Sequence, residues 1–310
     1  MSPIAVFRYR ARTALKNNWP IALLVVFIAS LPSILTQVAG VLTGGDVTTR
    51  LMTLAEDPAF LSADAESMIA QLTAAFSEES VLSYGLFSVI AWLVAPTLTI
   101  GMHHYMMNLL RGQAGGVSAV FSRLRWFVKA ICLTVLVALK TFLWSVPGMA
   151  VAIGGTTAVL SIARTAESAV NMMMVVMPAG YVLMFGLMIA AMLRYAMAVY
   201  VLADKPETGL LACIRESKAI MKQRKMQLFA LELSFIIWNL LVMAVYSVVV
   251  SMFGAVIGLT VQMFLNLFVA AYQNCAIAAF YLQYVAGGDP QPVEEQPPQL
   301  TDDDPWHRGE

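Results

Sequence analysis

The chain has 310 residues, of which 59% are hydrophobic and only 12% charged. A soluble domain is roughly one quarter charged, so this composition, with several apolar runs of about 20 residues or more, excludes a soluble globular enzyme and places the chain in a bilayer. The formal net charge is zero, but acids and bases are segregated along the chain.

The first segment carries Arg8, Arg10, Arg12 and Lys16 beside Phe7, Leu15 and Trp19. It predicts a short basic helix in the headgroup region, with Trp19 at the interface. Pro20 suits the first turn of a helix, where its missing N–H costs nothing. The apolar run from Pro20 to Leu42 is longer than the roughly 7–15 residues of a signal-peptide core, so an uncleaved span is expected.

Residues 44–80 form an acidic excursion holding Asp46, Glu56, Asp57, Asp64, Glu66, Glu78 and Glu79 against Arg50. Within it Met68, Ile69, Leu72 and Phe76 recur at helical spacing, and Ser62 is a candidate N-cap. A surface helix is expected there. The second span covers 81–110, with Pro96 as a kink. A second basic-aromatic segment, "VSAVFSRLRWFVK", leads to the third span at about 127–152, which contains Lys140 and "VPG" at 146–148. A loop with one short helix is expected over 153–170, and the fourth span over about 172–203. A third basic segment follows at 206–225, with Leu210, Leu211, Ile214, Ser217 and Met221 on one face.

Residues 226–285 are nearly continuously apolar. As one helix they would be ~90 Å long, about three bilayer cores. Gly254 and Gly258 mark a turn, giving spans at 226–253 and 258–285. The tail 286–310 is Pro-rich and acidic and reads as disordered. The expected fold is all-α: a polytopic bundle of six transmembrane helices as three hairpins, each preceded by a basic interfacial helix. Whether the three units are true repeats is left open by the sequence, because the positive-inside rule alone would give every inward-starting hairpin a basic flank.

Lys and Arg in the flanks set the orientation. They crowd the N-terminus and the connections after spans two and four, against Arg50 and Arg164 on the other side. Both termini are therefore expected in the cytoplasm, with the chain multi-pass in a bacterial inner membrane. Anionic inner-leaflet lipids are the expected partners, contacting Arg8, Arg10, Arg12, Lys16, Arg123, Arg125, Lys222, Arg224 and Lys225; no nucleic acid is expected.

The stretch "YVLADKPETGLLACIRESKAIMKQRKMQLFALELSFIIWNLL" resembles the signature of a bacterial integral-membrane family, domain of unknown function nine-seven-five. That family is related to the membrane domain of some glycerophosphodiester phosphodiesterases. The matching positions are Tyr200, Ala203 to Pro206, Ala212 to Ser217, Met221 to Lys225 and Leu228 to Trp238, with "VPG" at 146–148 and "RARTALKNNW" near the N-terminus. Gln223 and Ile237 stand where the family pattern commonly has Gly. The resemblance implies a six-helix membrane protein and no established activity.

Walker, HExxH, G-x-S-x-G and Cys/His metal patterns are missing, so no enzyme, cofactor or metal site is expected. Adjacent His103 and His104 diverge by ~100° on a helix, and the methionines read as gap-fillers. Cys132, Cys213 and Cys275 imply no disulfide framework. Of the 19 acids, only Glu232 lies inside a span. Depth along the helices brings Glu232, Arg194, His103, His104, Gln273 and Asn274 to one inner-half layer, with Lys140 deeper. Glu232 is expected to pair with Arg194 or to bond the amides of the sixth span; a carboxylate reaching out to the interface is the alternative. Two functions remain open. One is a non-enzymatic scaffold or modulator of a partner protein. The other is a transporter or exporter using that polar layer.

Overall fold

The computed structural model describes residues 3–43, 54, 57, 60, 65–77, 79–113, 115–163 and 165–285. They form α1 (Pro3–Leu15), α2 (Trp19–Thr43), α3 (Ala65–Ser77), α4 (Glu79–Leu110), a 3-10 helix (Val117–Trp126), α5 (Phe127–Ile162), α6 (Ala166–Tyr195), α7 (Ala198–Asp204), α8 (Leu210–Ile220), α9 (Lys225–Phe253) and α10 (Ala255–Val285). No strand occurs among the described residues. Six stretches in them are long and apolar enough to cross a membrane: Trp19–Gly40, Gly85–Leu110, Val117–Val159, Val170–Asp204, Lys225–Phe253 and Val256–Val285. The protein is a multi-pass, all-α membrane protein. Ser62, most of the acidic excursion and the tail 286–310 lie outside the described residues.

Local chemistry explains where the helices run on. The loop expected after residue 152 is instead a continuation of α5 to Ile162. Its hydroxyls bond back into their own turns: Thr156 to the Ala152 carbonyl at 2.6 Å, Thr157 to Gly154 at 2.9 Å and Ser161 to Ala158 at 2.8 Å. A polar-looking stretch thereby satisfies itself within a helix. Pro32, Pro96, Pro147 and Pro178 all lie inside helices, tolerated because a membrane helix has no better way to satisfy its backbone. The last turn is tighter than expected. Gly254 alone reverses the chain, with φ 87° and ψ 168°, a conformation open essentially only to glycine. Gly258 already lies in α10, where its missing Cβ leaves room for Val250.

The hairpins α2–α4, α5–α6 and α9–α10 close into a ring: α4 meets α5, α6 meets α9, and α10 packs on both α4 and α2. The short segments follow the same rule. The 3-10 helix docks mainly on α4, α8 mainly on α7 and α6, and α1 mainly on α10. Each therefore lies on the second helix of the preceding hairpin, and the N-terminal α1 closes the circle on the C-terminal α10.

Burial is concentrated at one end of this ring, with Ala152, Val159 and Val242 as scattered buried positions elsewhere. The main core gathers Phe7, Ala11 and Leu15 of α1, the α4 stretch Leu98 to Leu109, Ala191 to Ala203 across α6 and α7, Leu228 to Phe235 of α9 and Ala271 to Tyr284 of α10. This is the end where Lys and Arg collect. Away from it the helices are flanked by exposed apolar side chains, among them Val182 at 73%, Leu240 at 60% and Val256 at 78% exposure. On α6 these run from Val170 to Met192 and on α9 from Leu233 to Phe253, with Met226 set apart at 71% exposure near the basic end. About 23 and 21 residues rise ~34 and ~31 Å, the ~30 Å of a hydrocarbon core. The helices themselves have 29 to 36 residues in α5, α6, α9 and α10. Their basic ends therefore project past the hydrocarbon and, with α1, α8 and the 3-10 helix, build a compact cap.

Candidate functional site: a polar layer at the base of the cap

Glu232 lies one residue outside the exposed apolar band of α9, and Arg194 two residues outside that of α6. Both residues lie within stretches long and apolar enough to cross a membrane, toward the ends that carry the basic segments. The Glu232 carboxylate accepts a 2.5 Å bond from Gln273 Nε2. This is one of the partners allowed by depth. The other, Arg194, does not join it. Its guanidinium lies 5.7 Å from the ring centroid of Trp144, and its backbone carbonyl accepts from Ser217 at 3.1 Å. The reason is local. α9 and α10 are an antiparallel hairpin, as are α5 and α6, and Glu232 and Arg194 each find a partner within their own hairpin. Lys140 is half-buried and, among the described residues, is tied to the layer by neither hydrogen bond nor ion pair.

The two histidines face different neighbours. His103 is 7% exposed. Its Nε2 lies 3.3 Å from Asn274 Oδ1, and its ring stacks on Tyr200 with centroids 4.0 Å apart and planes at 19°. Tyr200 stacks in turn on Tyr281 at 5.8 Å. The Tyr281 hydroxyl donates to Asp204 Oδ2 at 3.3 Å, and Asp204 Oδ1 accepts from Arg111 at 2.8 Å. One continuous stack therefore joins α4, α7 and α10, the second helices of the three hairpins, where they meet. His104 turns outward. Its Nε2 is 3.1 Å from the Asn108 amide and its Nδ1 is 3.0 Å from Arg123 Nη2. A neutral imidazole has one acceptor nitrogen. The arrangement is satisfied when Nδ1 accepts from Arg123 and Nε2–H donates to an Asn108 amide turned oxygen-first.

The cations expected at lipid headgroups divide. Arg12, Lys16, Arg125 and Lys222 are exposed. Arg8 instead bonds the Tyr272 hydroxyl at 3.3 Å, and Arg10 bonds Gln283 at 2.6 Å. Arg224 covers the ring of Tyr284 at 4.1 Å. These three are partly used to clamp the cap together. The face of α1 that carries Phe7, Ala11 and Leu15 is fully buried, with Phe7 packed edge-on against Phe280 at 5.4 Å, so α1 rests on protein. α8 likewise buries Cys213, Ile214, Ser217 and Ile220 and leaves Leu211 exposed.

Sequence reasoning missed Tyr200, Tyr281, Asp204 and Arg111 as members of the central stack. The Tyr-rich helix end and the Ala-Asp-x-Pro turn already stood out in the family-like stretch, and they were the available signal. Among the described residues no three His, Cys, Asp or Glu side chains converge at metal-binding spacing.

No curated protein and no solved structure matches the chain. Residues 5–286 match a family model described as "Protein of unknown function (DUF975)". That match takes in all three hairpins, the docking segments and the whole central stack, and the chain belongs to this family.

Proposed function

We propose that the protein is a non-catalytic scaffold, or a modulator of a membrane partner, in the inner membrane of a bacterium with both termini cytoplasmic. The observation that carries this reading is the stack His103–Tyr200–Tyr281. It fills the point where the three second helices converge, and Arg111–Asp204 holds its outer end. Close-packed aromatic rings at the centre of the ring oppose a substrate path there. The long lipid-facing flanks leave ample surface for a partner's transmembrane helix, and the cationic rim suits anionic inner-leaflet lipids.

A transporter remains the second reading because two atoms favour it. His103 Nδ1 and the Tyr105 hydroxyl are buried in the core without a hydrogen-bond partner, and water in a path would satisfy them. Native Cys275 reports on the same core, since it is fully buried and its thiol lies 3.9 Å from the Ala11 carbonyl. With Cys132 and Cys213 replaced by Ser, a small charged methanethiosulfonate reagent applied to both sides of membrane vesicles should leave Cys275 unmodified. Modification within minutes in the folded protein would establish a water path and favour transport.

A further inference from the structure

The connection between the first two hairpins does more than dock. A 3-10 helix has three residues per turn, so positions three apart eclipse. In Val117–Trp126 this aligns Val120, Arg123 and Trp126 on the stripe facing the bundle. Val120 is fully buried, and its carbonyl occupies the space that a side chain on Gly101 would fill. The other stripes point away. Phe121, Leu124, Phe127 and Val128 are 46%, 44%, 52% and 57% exposed. They lead into the exposed apolar flank of α5, at the start of the stretch Val117–Val159 that is long and apolar enough to cross a membrane.

Between these apolar side chains stand cations lacking an anion. Arg123 bonds only the neutral His104, and its Nε is buried without a partner. The nearby carboxylate, Asp204, is already held by Arg111 and Tyr281. Trp126 Nε1, one 3-10 turn (~6 Å) further on, is a second buried donor without an acceptor. Arg125 lies 5.2 Å from the Trp126 ring centroid, and Lys129 4.5 Å. Among the described residues no carboxylate pairs with Arg123, Arg125 or Lys129. Lys129 already donates to the Pro206 carbonyl at 3.0 Å, which leaves Arg123 and Arg125 beside exposed aromatic and aliphatic side chains, an arrangement complementary to a phosphate head with acyl chains attached.

We propose that this segment binds an anionic glycerophospholipid. Its phosphate lies against Arg123 and Arg125, and its acyl chains lie along Phe121, Leu124 and Phe127. The proposal rests on the reading above only in facing this connection toward the leaflet that carries anionic lipid. The site binds whether or not the protein serves as a scaffold.

The purified full-length chain in mild detergent, examined by native mass spectrometry, provides the test. Added phosphatidylglycerol should be retained as a discrete bound lipid in preference to phosphatidylcholine of the same acyl length. Removing one cation should weaken retention about fivefold. Arg123→Gln and Arg125→Gln should each show this loss, whereas Arg224→Gln should not, Arg224 covering the Tyr284 ring of α10. Arg123→Lys keeps the charge and serves if the Gln variant unfolds; it should retain most of the binding. Equal retention of the two lipids, or equal loss in all the Gln variants, overturns the site. Inorganic phosphate displacing the lipid completely would overturn the acyl-chain half of the proposal and leave a free-phosphate site. None of these outcomes depends on the accessibility of Cys275, so the two readings fail separately.

Discussion

Gln273 of α10 donates a 2.5 Å hydrogen bond to the carboxylate of Glu232 on α9, joining the two helices of one hairpin. Among the described residues no cation pairs with this carboxylate, and one amide fixes its direction. Removing it should therefore be mild. Glu232→Gln, which keeps an acceptor, should cost ~1 kcal/mol and Glu232→Ala ~1.5–3 kcal/mol, the range for a hydrogen bond to a charged group. Breaking a buried ion pair costs roughly 3–5 kcal/mol. Thermal unfolding in detergent distinguishes the two, and a loss in the upper range would place Glu232 in an ion pair.

Gln223 follows α8 with φ 67°. A side chain in this left-handed conformation costs roughly 1–2 kcal/mol, and glycine is free of it. Gln223→Gly should stabilise the fold by ~1 kcal/mol, read as a raised unfolding temperature. A lower unfolding temperature would mean that the Gln223 side chain makes a contact worth more than the strain.

Gly101 and Gly85 lie on the same helix with opposite expectations. A Cβ on Gly101 would collide with the Val120 carbonyl, whereas one on Gly85 meets nothing within 4 Å. Gly101→Ala should push the 3-10 helix off α4 and cost ~1–3 kcal/mol, as overpacking does. Gly85→Ala should be neutral or slightly stabilising through helix propensity. Comparing the two variants in one unfolding assay isolates the close approach from the general effect of losing glycine.

Hydrophobic periodicity and cation placement carried the six spans and the three hairpins, because both are written in single residues. Ring closure was not legible. That α1 rests on α10 depends on Phe7 meeting Phe280 and Arg10 meeting Gln283, contacts between opposite ends of the chain that no local pattern reports. The layer around Glu232 was legible in depth but not in pairing. Rise per residue gives depth, whereas pairing follows from helix rotation, which sent Arg194 to Trp144. The 3-10 helix looked like a surface segment because Arg123 and Arg125 dominate its composition; Gly101, the residue that admits it, lies in the preceding span.

Cys213 of α8 is fully buried. Burial, reinforced by the Glu216 carboxylate, pushes its thiol up from the ordinary value, against smaller opposing effects of Lys129 and Lys205. The thiolate is the reactive form. Alkylation of Cys213 by iodoacetamide at about pH 8.5, where a free thiol is half ionised, should be negligible until detergent unfolds the protein. The linkage has a definite sign. Above the unfolded value the open chain releases a proton that the folded chain retains, so stability should fall as pH rises through about 8.5. A Cys213→Ser variant should lose part of that slope. An unchanged slope would assign it to other groups.

Orientation is the remaining expectation, and the cap sharpens its test. Lys222 is exposed between α8 and α9, on the end where the basic segments gather, and Glu66 is exposed on α3, beyond the other end of α4. The Lys and Arg bias assigns the first to the cytoplasm and the second to the outside. In intact cells, with the native cysteines replaced, Glu66→Cys should react with an impermeant maleimide and Lys222→Cys should react only after the membrane is opened. The reverse pattern would invert the protein. The anionic-lipid site would then face the outer leaflet of that membrane, and the 3-10 helix would need a partner there instead. Reaction of both positions in intact cells would mean that the six apolar helices do not all cross, and the ring of three hairpins could not stand as a transmembrane structure.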